Sequence, residues 1–253
     1  MIDFTLAPEH EEIRNRVRDF VDNVIKPAME PFGHRDDMAP EKHSEYVREL
    51  INLRKKAVEV GLWLPHMPKE WGGMGLGHVA LAMVQAEAAK TRVGPWVFNC
   101  SAPDEGNMHT LLHWATDEQK DKYLKPLLNG VSSSCFAMTE PEVAGSDPTL
   151  IRTNGIKDGD EWILNGHKWF ISGARRAKFA ILIARTEMDV PPGSRGANTA
   201  FIIDLPTKGS YETLRHRQRR VGRIRGKVEE KRPVSTFGNK SHRIAEVDVF
   251  TKS

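Results

Sequence analysis

Cysteine is nearly absent from this chain of 253 residues, with only Cys100 and Cys135 present. The two form neither a CxxC pair nor a metal-ligand spacing, which argues against a disulfide scaffold and a zinc ribbon and fits a reducing, cytoplasmic compartment. Long apolar runs are missing too: none approaches the roughly 18 residues that a membrane span needs. The opening MIDFTLAPEHEE carries acids where a signal or transit peptide needs basic and apolar blocks. Ser132, Ser133 and Ser134 lack the GxSxG frame of an exposed nucleophile and read as strand residues. Gly72-Gly73-Met74-Gly75-Leu76-Gly77 is not followed by Gly-Lys-Ser/Thr and has no strand before it, so it reads as an interhelical turn and not as a phosphate loop. His109 and His113 are four apart on a helix, but no glutamate lies between them and no third ligand is evident. They read as packing or capping histidines. No internal repeat is visible.

A 39% hydrophobic share and 20 glycines suit a globular protein of one to two domains. Its charge is uneven. Residues 210–253 hold 12 Lys and Arg against 5 Asp and Glu, a net of +7, leaving 25 basic and 29 acidic residues, a net of −4, in residues 1–209. The acidic body is a poor platform for nucleic acid, whereas the tail, with Arg215, Arg217, Arg219, Arg220, Arg223 and Arg225, could attract phosphates.

Hydrophobic spacing divides the chain into a helical block and a strand block. Ile13, Val17, Phe20, Val21 and Val24 mark one helix face, with Pro27 as its stop. Val47, Leu50, Leu53, Ala57 and Val60 mark a second face, and a third helix is expected near Val79 to Ala89. Thr116 and Gln119 make a capping box for a helix that buries Tyr123, Leu124, Leu127 and Leu128. Beyond Gly130 the period shortens. Strands are expected within Val131 to Thr139, Arg152 to Ile156, Trp162 to Leu164, Phe179 to Ala184 and Thr199 to Ile203, with hairpin signals at Asp158-Gly159-Asp160 and Asn165-Gly166. The fold class is α+β: an N-terminal helical bundle over residues 1–131, then an antiparallel β-barrel-like domain over 132–209. Residues 210–253 form a divergent basic tail, in which Ile244, Val247 and Val249 could supply a closing strand at 242–250.

The chemically informative stretch is CFAMTEPEVAGSDPT, from Cys135 to Thr149. A strand ends at Thr139, acid and proline turn the chain, and Ala144-Gly145-Ser146-Asp147 offers small residues, a hydroxyl and backbone amides. Successive amides in such a loop make an anion-binding concavity. A polar turn with no ligand would have the same composition.

Four stretches together, GLWLPHMPKEWGGMGL, TDEQKDKYLKPLLNG, CFAMTEPEVAGSDPT and NGHKWFISGA, resemble the acyl-CoA dehydrogenase family over roughly residues 1–209. The resemblance implies an N-terminal helical domain, a middle β-domain that holds FAD, and a C-terminal helical domain. It places Phe136, Met138 and Thr139 along the flavin ring, with the Thr139 hydroxyl donating to the ring's pyrimidine edge. Gly145 and Ser146 would sit beside the FAD and thioester, with Ser146 also near the substrate. Phe170, Ile171 and Ser172 would occupy the second flavin-facing turn. There the family usually has tryptophan where Phe170 stands and threonine where Ser172 stands. One of Trp169 and Phe170 is expected to fill core only, because strand neighbours face opposite ways.

The implied reaction is α,β-dehydrogenation of an acyl-CoA thioester in fatty acid metabolism, with hydride passing to the flavin and electrons to a separate electron-transfer acceptor. The family's base is a glutamate of the C-terminal helical domain. Glu229, Glu230 and Glu246 match no family motif, so no catalytic base is assigned and turnover by this chain alone is expected to be impaired. A frame disturbance near Gly209, a natural shortening and one half of a split enzyme all stay open as origins of the tail. The implied assembly is a homo-oligomer without a membrane span, and nucleic acid is disfavoured as a partner. The alternative is a non-catalytic flavin- or partner-binding protein whose basic tail contacts an acidic partner or nucleic acid.

Overall fold

In the first helix, Ile13, Val17, Phe20 and Val21 recur on one face and are all buried, together with Ile25. The computed structural model describes residues 5–33, 37–159, 161–191, 197–205, 242–244 and 248–249. The chain divides into two compact units between Glu105 and Gly106.

The first unit is helical. Pro8–Phe20 does not stop at Pro27: it continues through a π turn, Val21–Ile25, into Lys26–Met29 and a 3-10 turn, Glu30–Phe32, and ends at Gly33 with φ +57°. The Lys26 amide reaches back five residues to the Val21 carbonyl, so the hydrogen-bond register changes just before the residue that has no N–H to give. The same device recurs in the second unit. There the π turn Lys120–Leu124 precedes Lys125–Leu128, and Pro126 continues the helix.

His43–Glu59 buries Tyr46, Leu53 and Ala57. Val47 and Val60, expected on that face, are 42% and 47% exposed. Tyr46 takes the position instead, its ring edge-on to Phe32 with centroids 5.5 Å apart. His78–Ala88 completes the core with Ala80, Val84 and Ala88 against Val17, Val21 and Leu53. Glu87 on this helix is buried, and Arg18 (2.8 Å) and Lys90 hold its carboxylate. The Cys100 thiol is buried as well, and its pKa is pushed up to about 12, first by burial and then by Glu105.

The second unit begins within the helix Asp104–Trp114. The Thr116 capping box forms with both reciprocal bonds, and Tyr123, Leu124, Leu127 and Leu128 are buried as expected. Among the described residues seven strands follow: β1 (Ser134–Ala137), β2 (Asn154–Asp158), β3 (Glu161–Asn165), β4 (Phe179–Arg185), β5 (Asn198–Asp204), β6 (His242–Ile244) and β7 (Asp248–Val249). They form one sheet in the order β6-β3-β2-β4-β5-β7, with β1 also on β4. Pairing is antiparallel for β2–β3, β4–β5, β3–β6 and β5–β7, but β1 and β2 both run parallel to β4. The sheet is therefore mixed.

The parallel pairs decide where the turns go. With β5 on one edge of β4, the other edge takes β1 against Phe179 to Leu182 and then Asn154 of β2 against Arg185. Residues 138–153 thus leave the edge after β1 and return to it at β2, as one excursion. The stretch expected to carry a single closing strand at 242–250 has two short strands on different partners. Val247 and Phe250 lie outside the described residues, as do the arginines from 215 to 225.

Hydrogen bonds and attraction from Arg18 and Lys90 outweigh burial and hold Glu87 at about 2. A carboxylate whose folded pKa is depressed adds stability above its unfolded value of about 4.3 and loses it as pH falls through the folded value. Urea midpoints of the wild type should fall between about pH 4.3 and about pH 2 more steeply than those of Glu87→Gln. Thr116→Ala should cost about 1 kcal/mol through loss of the cap, read from the same titrations.

Candidate functional site

Two polar turns meet at the neck of the 138–153 excursion. Thr139 and Glu140 open it, Arg152 and Thr153 close it, and the turn after β3, residues 166–172, lies against both. Glu140 Oε1 accepts from Lys168 Nζ and from the Thr153 amide, at 2.8 and 2.9 Å, while Oε2 accepts from the Arg152 amide at 2.8 Å. Lys168 Nζ also donates to the Met138 carbonyl at 2.8 Å. Both side chains of the ion pair are buried, at 0% exposure for Lys168 and 1% for Glu140. Burial by itself would raise the Glu140 pKa. The bonds from Lys168 and Thr153, with that from the Arg152 amide, reverse this and hold it below the usual carboxylate range. The geometry favours the carboxylate because three donors converge on it.

Beside this pair the main chains pair as well. The Trp169 amide donates to the Thr139 carbonyl at 3.1 Å, and the Thr139 hydroxyl donates to the Trp169 carbonyl at 2.7 Å. That hydroxyl has one proton, so donating it elsewhere requires it to turn away from Trp169. Gly145 lies over Thr139, and a Cβ added there would stand 3.3 Å from Thr139 Cγ2. Asp147 closes the outer part of the loop by accepting from the Thr149 amide and hydroxyl, at 3.0 and 2.6 Å.

The structure therefore brings Thr139, Gly145, Trp169 and Phe170 together. Met138 is half-buried beside Thr139, Ile171 is buried in the sheet core, and Ser146 and Ser172 are exposed on the two turns. Phe136 stands on β1, 37% exposed, on the face opposite the buried Cys135 and Ala137. Trp169 and Phe170 are not strand neighbours on opposite faces: they sit in a turn with ring centroids 4.3 Å apart. Phe170 has φ +54° and is 65% exposed, an uncommon combination for a bulky side chain and one that concentrates at functional sites.

Asn165-Gly166 makes no hairpin. Gly166 lacks a positive φ and serves close approach instead, because a Cβ there would fall 2.1 Å from Thr153 Oγ1. His109 and His113 stack with ring centroids 6.4 Å apart. Sequence reasoning passed over Glu140 and Lys168, although both stand inside the motifs that carried it. The available signal was an acid in one motif and a lysine in the other, each just beyond the end of a strand. An outer cleft of about 540 Å³ borders the excursion, lined by Val143, Leu150, Met188 and Val190 together with Glu142, Arg152 and Arg185.

A helical unit followed by a mixed sheet with two interlocked turns defines an α+β protein whose site lies at the neck of one long excursion. The family models for the acyl-CoA dehydrogenase N-terminal domain and middle domain match residues 7–131 and 135–225. The chain belongs to the acyl-CoA dehydrogenase family, and its likeness runs past Gly209 to residue 225. It is 36% identical over 188 residues to acyl-CoA dehydrogenase family member 11 of Homo sapiens, covering 73% of this chain and 24% of that protein. A structure of a proposed acyl-CoA dehydrogenase from Mycobacterium abscessus superposes with a TM-score of 0.78 at 28% identity, covering 96% of this chain and 60% of that one. A glutaryl-CoA dehydrogenase from Mycobacterium smegmatis, solved with FADH2, shares the fold at a TM-score of 0.64 and 23% identity, over 95% of this chain and 54% of that one. The chain spans between about a fifth and a half of the curated relatives it matches. Among the described residues, no helix is long and apolar enough to cross a membrane.

Gly166→Ala should destabilise by about 1–3 kcal/mol, the usual cost of overpacking, because the new methyl overlaps Thr153. Gly159→Ala, at φ +63° with open space around it, should cost only about 1 kcal/mol. Thermal denaturation of both variants checks the order.

Proposed function

We propose that this chain supplies the FAD-holding part of an acyl-CoA dehydrogenase, acting in α,β-dehydrogenation of an acyl-CoA thioester. The observation that carries the reading is the Phe170 ring. It is 65% exposed, held at positive φ and backed by Trp169, beside a turn that is already hydrogen-bonded to Thr139. An uncovered aromatic face next to a glycine loop fits a flat ring system with polar edges. FAD, when bound, supplies the hydride acceptor.

The residues assigned to hold it are Phe136, Met138, Thr139, Gly145, Ser146, Phe170, Ile171 and Ser172. Phe170 offers a ring face, Ser172 an exposed hydroxyl, and Gly145 room for close approach. Ser146 is assigned to the substrate as well. The cleft sets two cations, Arg152 and Arg185, against one carboxylate, Glu142, among apolar side chains, which suits an anionic ligand with an apolar arm, the chemistry of a CoA thioester. The proton acceptor for the α-carbon is not assigned to any residue of this chain, and general-base loss typically costs about two to four orders of magnitude. Turnover by this chain alone is therefore expected to be poor. The domain division proposed is a helical part, 1–131, a β-domain, 132–209, and a basic tail, 210–253, whose 242–250 stretch returns to the sheet through β6 and β7. An electron-transfer acceptor, homo-oligomeric assembly and a cytoplasmic setting complete the reading.

The test is to purify the chain, add FAD, remove free flavin and record the visible flavin band. Retained colour supports the reading, and a protein that stays colourless sinks it. Salt-dependent retention on nucleic acid that vanishes on deleting residues 210–253 would favour the non-catalytic binding alternative. Ser172→Ala should leave stability within about 0.5 kcal/mol, as for exposed surface positions, while lowering flavin affinity or shifting its midpoint potential. An unchanged affinity and potential would remove Ser172 from the site.

A further inference from the structure

We propose that the buried Glu140–Lys168 pair is a positioning device, which locks the Thr139 turn against the Trp169–Phe170 turn before any ligand arrives. The proposal rests on the flavin-holding reading for its purpose, but the lock is a property of the chain by itself.

Three observations carry it. First, Glu140 alone bonds both ends of the excursion, since its own backbone opens the loop and its carboxylate accepts the amides of Arg152 and Thr153 where the chain returns to β4. Second, Lys168 enters this neck from the other turn and bonds the carbonyl of Met138 as well as the carboxylate, so neither turn can shift along the other without breaking two charge-assisted bonds. Third, the residues that face outward lie immediately beside the pair. Thr139 stands between Met138 and Glu140, and Trp169 and Phe170 follow Lys168. The reciprocal bonds between Thr139 and Trp169 are made in the same arrangement of the turns as the ion pair.

Energetics separate this role from simple stabilisation. A buried ion pair is weak evidence for net stability, because desolvation consumes most of the attraction, and an apolar pair of similar size is often as stable. What the apolar pair cannot provide is direction. Glu140 and Lys168 bond to named atoms of Met138, Arg152 and Thr153 as well as to each other, and those atoms lie on separate stretches of chain. Such groups select one arrangement of the turns. In the same way, supporting hydrogen bonds hold an exposed site within the small tolerance that binding requires. The positive φ of Phe170 is retained because the turn around it is over-determined.

The experiment uses the full chain and three variants: Lys168→Met, Glu140→Gln and the double variant. Hydrogen exchange of the Trp169 amide is followed without ligand, and FAD affinity and the fine structure of the flavin band are followed with it. If the pair positions the turns, Trp169 exchange in Lys168→Met should rise by about a hundredfold relative to amides of the β4–β5 ladder, as expected for losing a buried partner. The double variant should recover global stability towards the wild type without recovering Trp169 protection. Flavin affinity should fall by about tenfold or more in both, with a smoothed visible band. Loss of stability in Lys168→Met with Trp169 protection unchanged in the folded protein, or a double variant with normal protection and affinity, would overturn the proposal and leave the pair a structural contact. Should Lys168→Met fail to fold, Glu140→Gln, which keeps the side-chain shape, decides by the same two readings. A wild type that takes up no flavin removes the flavin reading alone, since the exchange measurement still judges the lock.

Discussion

Everything at the candidate site leans on one carboxylate that has been taken out of water. Glu140 is buried beneath the turns, where an unpaired charge would cost several kcal/mol, and the fold answers by aiming three N–H donors at it. Those donors come from β2's approach and from the turn after β3. Satisfying one side chain therefore brings three stretches of chain into a fixed mutual position. Thr139 adds its own two bonds to Trp169 in that arrangement, and the exposed Phe170 inherits its position from the turn that follows Lys168. Catalytic scaffolds commonly place rigid polar networks under mobile or exposed side chains, because the network holds what packing alone leaves free.

The topology of the sheet explains why such a tie is needed. A single antiparallel meander would join β1 and β2 by a tight turn and leave no excursion. Here both strands run in the same direction along one edge of β4, with Ala137 opposite Leu182 and Asn154 opposite Arg185, so residues 138–153 are far more chain than the gap needs and leave the sheet as a loop. A loop of that length has much conformational entropy to lose. Its own short-range bonds, such as those of Asp147 with Thr149, order only the tip. The Glu140 bonds close the base, and Gly166 lets the second turn approach Thr153 closely enough for Lys168 to reach the neck.

Local rules succeeded where the chain's neighbours in sequence are also its partners in space. The capping box of Thr116 and Gln119 is a four-residue event and formed as its spacing implied. The Asp158-Gly159-Asp160 hairpin signal was equally legible, with Gly159 at φ +63° and Asp158 opposite Glu161. Local rules failed where something distant competed. Pro27 did not end its helix because a π turn shifted the register ahead of it. Val47 lost its buried place to Tyr46, whose ring meets Phe32 of another helix. Asn165-Gly166 looks like a turn pair, but the glycine is there for Thr153, which precedes the whole β2–β3 hairpin. The parallel course of β1 and β2 had no local signal at all, since parallel and antiparallel strands of this length share one hydrophobic pattern.

The sequence by itself determined the helix-then-strand order, the buried faces of the first helix and of the helix after Thr116 and, through four motifs, the family and the two turns that carry the site. Periodicity, capping and turn chemistry act over a few residues, and motif likeness needs only the letters. Tertiary structure decided that the strands pair in a mixed sheet, that Thr139 spends its hydroxyl proton on Trp169, and that Glu140 and Lys168 form a buried pair under both turns. Those facts depend on which residues distant in sequence share a desolvated volume, and the energy of a charge or a hydrogen bond is set by that shared volume, not by the residue type alone.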